Sequence, residues 1–150
     1  RSLSAMMGRG KSAAVLVDYG FPAHEYYLPE RSAGTLMCHY RHQAHDDPFH
    51  LPGLQDITAH VNFTAVAETA AGSGLDVLCY TSQAGFLMAS GIMDLLPSME
   101  GNDTASILLR QEAMKLLSPA EMGELFKVMV LGHDVMPSET LLQADRSGRL

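Results

Sequence analysis

Imidazoles and carboxylates crowd one short stretch of this chain. His39, His42 and His45 recur at every third position, and Asp46, Asp47 and His50 follow at once. Such groups can hold a divalent metal, relay a proton or grip a cation. Cys38 sits directly beside His39, which is no useful ligand spacing, and no HExxH helix is present. Histidines that hydrogen-bond the backbone or line a polar cleft are the plainer reading, and no metal is expected. A second dense segment runs Pro52-Gly53-Leu54-Gln55-Asp56-Ile57-Thr58-Ala59-His60-Val61-Asn62-Phe63-Thr64. It leads polar groups into a helix N-terminus, which presents free N–H groups and favours anions. There Asp56 and Thr58 either face a ligand or brace a turn, and residue types alone do not choose between these.

Other catalytic patterns fail on their own terms. Gly8-Arg9-Gly10-Lys11-Ser12 looks like the end of a phosphate-binding loop, but Ala5 stands where the first glycine belongs. The segment also precedes an apolar run, whereas a phosphate loop follows a strand and opens a helix. It reads as a turn. No Gly-x-Ser-x-Gly nucleophile elbow occurs.

The elements that must position these groups follow from apolar patterning. Ala13–Val17 is a continuous apolar run ending at Asp18-Tyr19-Gly20, as in a strand buried on both faces of a parallel sheet. Ligands of open α/β sheets bind outside the carboxyl ends of the strands, which is where Asp18 stands. Residues 21–56 carry several prolines and glycines with no sustained period, and are expected to form a long functional loop. Asn62 is a helix cap for the stripe Phe63, Val66, Ala67 and Ala70, stopped at Gly72-Ser73-Gly74. Leu75–Tyr80 reads as a strand, and Phe86–Leu96 as an apolar helix broken by Gly91. A polar turn over Ser98–Asp103 precedes a helix through Ala105, Leu109 and Leu117, and Ser118-Pro119-Ala120-Glu121 starts a brief further helix. Phe126–Leu131 is a last strand ended by Gly132, and the tail from Pro137 is expected to fray. This is an α/β order with few strands for a doubly wound sheet.

Composition narrows the classes further. The 150 residues are 47% hydrophobic and 18% charged, as in an ordinary folded domain. A formal charge of −7 argues against nucleic acid and suits a cationic group on another protein. Cys38 and Cys79 make no disulfide framework, so a reducing compartment is expected. No apolar run approaches the ~18 residues of a membrane span.

Together, several ordered blocks across residues 13–131 resemble the MidA-like family of S-adenosylmethionine-dependent methyltransferases. They are Val15–Gly20, Gly34-Thr35-Leu36, His42–Pro48, Pro52-Gly53, Asp56–Phe63, Gln83 with Phe86-Leu87 and Gly91-Ile92, and Met122–Val128. The resemblance implies a class I, Rossmann-like α/β fold with a mixed sheet, flanking helices and a long loop after the first strand. Residues 1–136 would be the C-terminal portion of that domain and 137–150 a polar tail. It implies S-adenosyl-L-methionine as cofactor and, from the family's mitochondrial members, N-methylation of arginine in a protein substrate such as a respiratory complex subunit. The bacterial cytoplasm is the expected compartment, or the mitochondrial matrix in a eukaryote.

Two departures stand out. The family's glycine-rich cofactor loop and the acidic residue after its second strand lie upstream of these blocks, so cofactor contacts are expected there and the chain is expected to be inactive alone. Asn62 stands where the family usually has Asp, and both residues cap helices. Strand-end position and motif match make Asp18 and Asp56 the expected catalytic carboxylates, with His45 to relay a proton or orient a carboxylate. Tyr19, Asp47, Thr58, His60 and Gln83 are the expected substrate-binding residues. A non-catalytic protein-interaction domain and a metal-binding module on the histidine loop are the alternatives.

Overall fold

The apolar run at Ala13–Val17 is the middle of a longer strand, β1 (Ser12–Phe21), in a computed structural model that describes residues 2–95, 101 and 103–150. From Ser12 to Tyr19, β1 pairs antiparallel with β7 (Phe126–His133). At Gly20 and Phe21 it pairs parallel with the short β5 (Val61–Asn62). With β6 (Asp76–Ser82) this makes a four-stranded mixed sheet in the order β5-β1-β7-β6.

The fully buried, parallel setting expected for β1 is not what forms. Val15 and Val17 are 49% and 50% exposed. Side chains alternate across a strand. Ala14 and Leu16 pack on the core of Phe63, Tyr80, Met129 and Leu131, under α3 (Phe63–Gly72) and Met7 of α1 (Leu3–Met7). Val15 and Val17 face the other side, where α4 (Gln83–Ala89) and α7 (Glu139–Ala144) pack against β6 rather than β1. Met129 and Val128 of β7 are wholly buried. Burying each such side chain contributes about 1.5–3 kcal/mol.

The helix signals mostly act as written. Asn62 Oδ1 accepts the Ala65 N–H at 3.1 Å and caps α3. Ser82 caps α4 in the same way, so this helix begins earlier than the apolar run alone suggests. Gly91, at φ 85°, breaks it from α5 (Ile92–Leu95). Most of the expected polar turn at Ser98–Asp103 and the helix end at Leu96 lie outside the described residues. Asp103 caps α6 (Thr104–Leu117).

Four further expectations are corrected. The segment after β1 is not an irregular loop. It carries α2 (Ala23–Tyr26), a 3-10 turn at Pro29–Arg31, and an antiparallel three-stranded sheet of β2 (Met37–Tyr40), β3 (Gln43–His45) and β4 (Asp56–Thr58) in the order β3-β2-β4. Residues 118–125 form successive turns, not a helix. Gly123 is wrapped so closely there that a methyl group would lie 2.7 Å from the Leu117 carbonyl carbon. β7 runs through Gly132 to His133. Finally, the tail is folded: it forms α7 and docks on β6.

That docking is specific. Asp145 Oδ1 accepts the Tyr80 N–H at 2.8 Å, and the Arg146 N–H donates to the Tyr80 carbonyl at 2.7 Å. Asp145 also accepts from Ser147 N–H and Oγ. Asp145→Ala leaves the Tyr80 N–H in a part-buried place without its acceptor, and should lower stability by about 1–2 kcal/mol. Urea denaturation measures this, and an unchanged midpoint would mean that the tail adds nothing to the fold. Cys38 and Cys79 are free, buried thiols. No helix among the described residues is long and apolar enough to cross a membrane.

Candidate active site

A cavity of about 700 Å³ lies between the end of β1 and the small sheet. It is lined by Tyr19, Met37, His39, Gln55, Asp56, Ile57, Thr58, His60 and Leu125. The pleat decides which polar groups reach it. Strand register places Met37 opposite Thr58 and His39 opposite Asp56, so these four share a face of the small sheet. Cys38 and its partner His45 belong to the other face, as does Ile57, which still borders the cavity.

His60 anchors the wall on the β1 side. Its ring stacks on Phe21 at 4.9 Å and 19°, and meets Tyr19 edge-on at 5.3 Å. The His60 backbone N–H donates to Thr35 Oγ1 at 3.2 Å, while the ring Nδ1 is buried with no hydrogen-bond partner among the described residues. Arg31 covers the Phe21 ring at 3.9 Å, and Phe126 meets Tyr19 edge-on at 5.8 Å. The result is a packed aromatic wall facing one carboxylate. Asp56 is exposed at the rim, and no described cation lies within ion-pairing distance of it. Thr58 Oγ1 donates to the Met37 carbonyl at 3.2 Å.

Four of the eight expected site residues, Tyr19, Asp56, Thr58 and His60, therefore meet at one cavity. The other four lie elsewhere. Asp18 is exposed and accepts its neighbour Tyr19's N–H at 2.8 Å. It stands opposite Lys127, on the strand face that Tyr19 does not share. His45 accepts the Asp47 N–H at Nδ1 and touches the His50 ring at 5.1 Å. Asp47 accepts the Phe49 N–H at 2.9 Å and so builds a turn. Gln83 is buried and donates from Nε2 to the Leu116 carbonyl at 3.0 Å, bracing the end of α6. Gln83→Leu should lower stability by about 1 kcal/mol with KM unchanged. A KM rise with intact stability would return Gln83 to the substrate.

The histidine triplet is taken apart by the hairpin. His39 is on β2, His42 is in the turn at φ 65°, and His45 is on β3 facing the other side. Among the described residues no group of three or more His, Cys, Asp or Glu side chains is placed to hold a metal ion. His39, Met37, Gln55, Ile57 and Leu125 were not among the expected substrate residues. Alternation within 37–39 and 56–58 carries the signal for the first two. Leu125 falls in the family block Met122–Val128, but nothing there marks it as a cavity residue.

A family model described as "Putative S-adenosyl-L-methionine-dependent methyltransferase" matches residues 1–81. The chain belongs to this methyltransferase family. It is 30% identical over 132 residues to the mitochondrial protein arginine methyltransferase NDUFAF7 of Danio rerio, covering 85% of this chain and 28% of that protein. Two crystal structures from Burkholderia thailandensis are similar to it. An uncharacterised protein is 51% identical, with TM-score 0.86 over 93% of this chain and 38% of its own. A candidate methyl transferase bound to S-adenosyl-homocysteine is 52% identical, with TM-score 0.85 over 92% of this chain and 36% of its own. The chain thus spans less than two fifths of the length of these relatives.

The family's cofactor is S-adenosyl-L-methionine. The described residues contain no strand that runs into a glycine-rich turn and a helix N-terminus, the cradle used for nucleoside cofactors.

Proposed function

We propose that this chain forms the substrate side of a protein arginine N-methyltransferase, with the cavity at Tyr19, His39, Asp56 and His60 as the place where the guanidinium group sits. The observation that carries this is the pairing of an unpartnered carboxylate with an aromatic wall in one recess. A planar cation is held by such a pair through charge-assisted hydrogen bonds to the carboxylate and stacking on the rings. The net charge of −7 favours approach of a cationic substrate. The name of the 30% identical relative supports arginine in particular.

The methyl group comes from the cofactor's sulfonium. The protein must hold the nucleophilic nitrogen in line and accept the proton that it loses. In this reading Asp56 grips and orients the guanidinium. His60, whose buried Nδ1 has no hydrogen-bond partner among the described residues, is the group proposed to relay that proton. Asp18 would act from outside the cavity, within β1 beside Tyr19. The test is methylation of arginine-containing peptides by the full-length protein, with lysine versions of the same peptides alongside. Arginine-dependent methyl transfer supports the reading. Transfer to lysine peptides alone would overturn it.

A further inference from the structure

A second, smaller cavity of about 180 Å³ opens at the carboxyl end of β6, sharing no residue with the first. Its wall joins Tyr80, Lys127 and Glu25 to the docked tail through Arg146 and Arg149. Two of its cations are already matched. Arg146 reaches both carboxylate oxygens of Glu124 at 3.2 and 3.3 Å, and Arg149 reaches Glu25 at 2.9 Å. Lys127 is not matched: Nζ donates to the Glu124 backbone carbonyl, and no carboxylate among the described residues lies within ion-pairing distance. The wall therefore carries one uncompensated positive charge. Tyr80 adds an unused donor. It is 3% exposed, and its Oη is buried with no hydrogen-bond partner among the described residues.

We propose that this cavity binds a small oxyanion, a carboxylate or phosphate group, held by Lys127 Nζ and Tyr80 Oη with the two guanidinium groups around it. A buried hydroxyl without a partner and a half-buried ammonium without a carboxylate at ion-pairing distance are both costly arrangements, and one anion relieves both. Burial, with Glu25 nearby, pushes the Tyr80 phenol up to about 12, so it keeps its proton and can donate at neutral pH. Burial also lowers the Lys127 ammonium below its usual range, with Arg146 and Arg149 acting in the same direction against Glu124 and Glu25. A bound anion would counter that. The volume admits one such group and falls below the ~300 Å³ at which pockets for larger organic ligands begin. Glu25 and Glu124 do not repel it as free charges, since each faces its own arginine.

The site also stands close to the first cavity. Phe126, next to Lys127, packs against Tyr19. An acidic or phosphorylated group carried by a protein substrate is one source of the anion, and a free ion is another. The proposal does not depend on methyl transfer, because binding alone reads it out.

The experiment is isothermal titration calorimetry of the full-length protein with acetate, inorganic phosphate and an acidic peptide, at an ionic strength held constant with chloride. Saturable one-site binding of acetate or phosphate is expected, about fivefold weaker in Tyr80→Phe and lost in Lys127→Met. Thermal unfolding of both variants establishes that they are folded. A peptide that binds at least as tightly as acetate, with the same dependence on Lys127, identifies the substrate as the source, while phosphate alone identifies a free ion. No saturation with any probe, or identical isotherms in the folded variants, would overturn the proposal.

Discussion

Asp56→Ala in the full-length protein should lower arginine methylation by roughly tenfold to a hundredfold while leaving the fold intact. The two halves of that expectation have separate causes. Asp56 lies on an exposed face of β4, and no ion pair among the described residues uses its carboxylate. Surface changes of this kind alter stability by about 0.5 kcal/mol or less. A carboxylate that grips a cation through charge-assisted bonds contributes about 1.5–3 kcal/mol, which is the stated range in rate. Asp56→Asn keeps the shape and removes the charge, so it should lose nearly as much. Turnover and KM, measured beside thermal unfolding, check this. Two folded variants with the parent's activity would remove Asp56 from the site, and the proposed cavity with it.

Gly20→Ala should cost about 3 kcal/mol or more and take the activity with it. Here the reason is contact between backbones. A methyl group on Gly20 would overlap the Val61 carbonyl oxygen and lie 2.9 Å from the carbonyl carbon and nitrogen of Val61. Neither side can yield by turning a side chain, so strain of the overpacking kind must be met by separating β1 from β5. That joint carries Tyr19 and His60, whose rings meet at 5.3 Å. Separation would open the cavity wall as well as the sheet. Denaturant unfolding gives the stability change, and a midpoint equal to the parent's would show that the close approach is unnecessary. Glycine in Asp18-Tyr19-Gly20 is thus required for space.

Local chemistry was legible where the chain itself supplies both partners. Asn62 caps the helix whose stripe follows it, Gly91 breaks a helix, and β6 and β7 are apolar runs that become strands. The small sheet was not legible. Its hairpin turns at Arg41 and His42, both with positive φ, and neither is the glycine or asparagine that usually announces such a turn. With the hairpin unseen, an every-third-residue histidine pattern left a ligand set open as an alternative to the plainer reading of histidines that bond the backbone or line a cleft. On the actual strands it divides between two faces.

The motif residues themselves show the same limit. Types and order were enough to place the chain among methyltransferases and to name eight candidate site residues, of which Tyr19, Asp56, Thr58 and His60 line one cavity. They could not tell these from Asp18, His45, Asp47 and Gln83, because all eight are polar or aromatic groups in the same ordered blocks. Pleat parity and register separate them: His39 and Asp56 share a face, while Cys38 and His45 take the other. The folded tail is a further case. Asp145 and Arg146 look like a solvated end until the backbone of Tyr80, 65 positions away, is brought beside them. The sequence alone determined family, fold class and capped helices, since those rest on neighbours along the chain. Only the tertiary structure decided which groups meet, because that depends on strands paired across long separations.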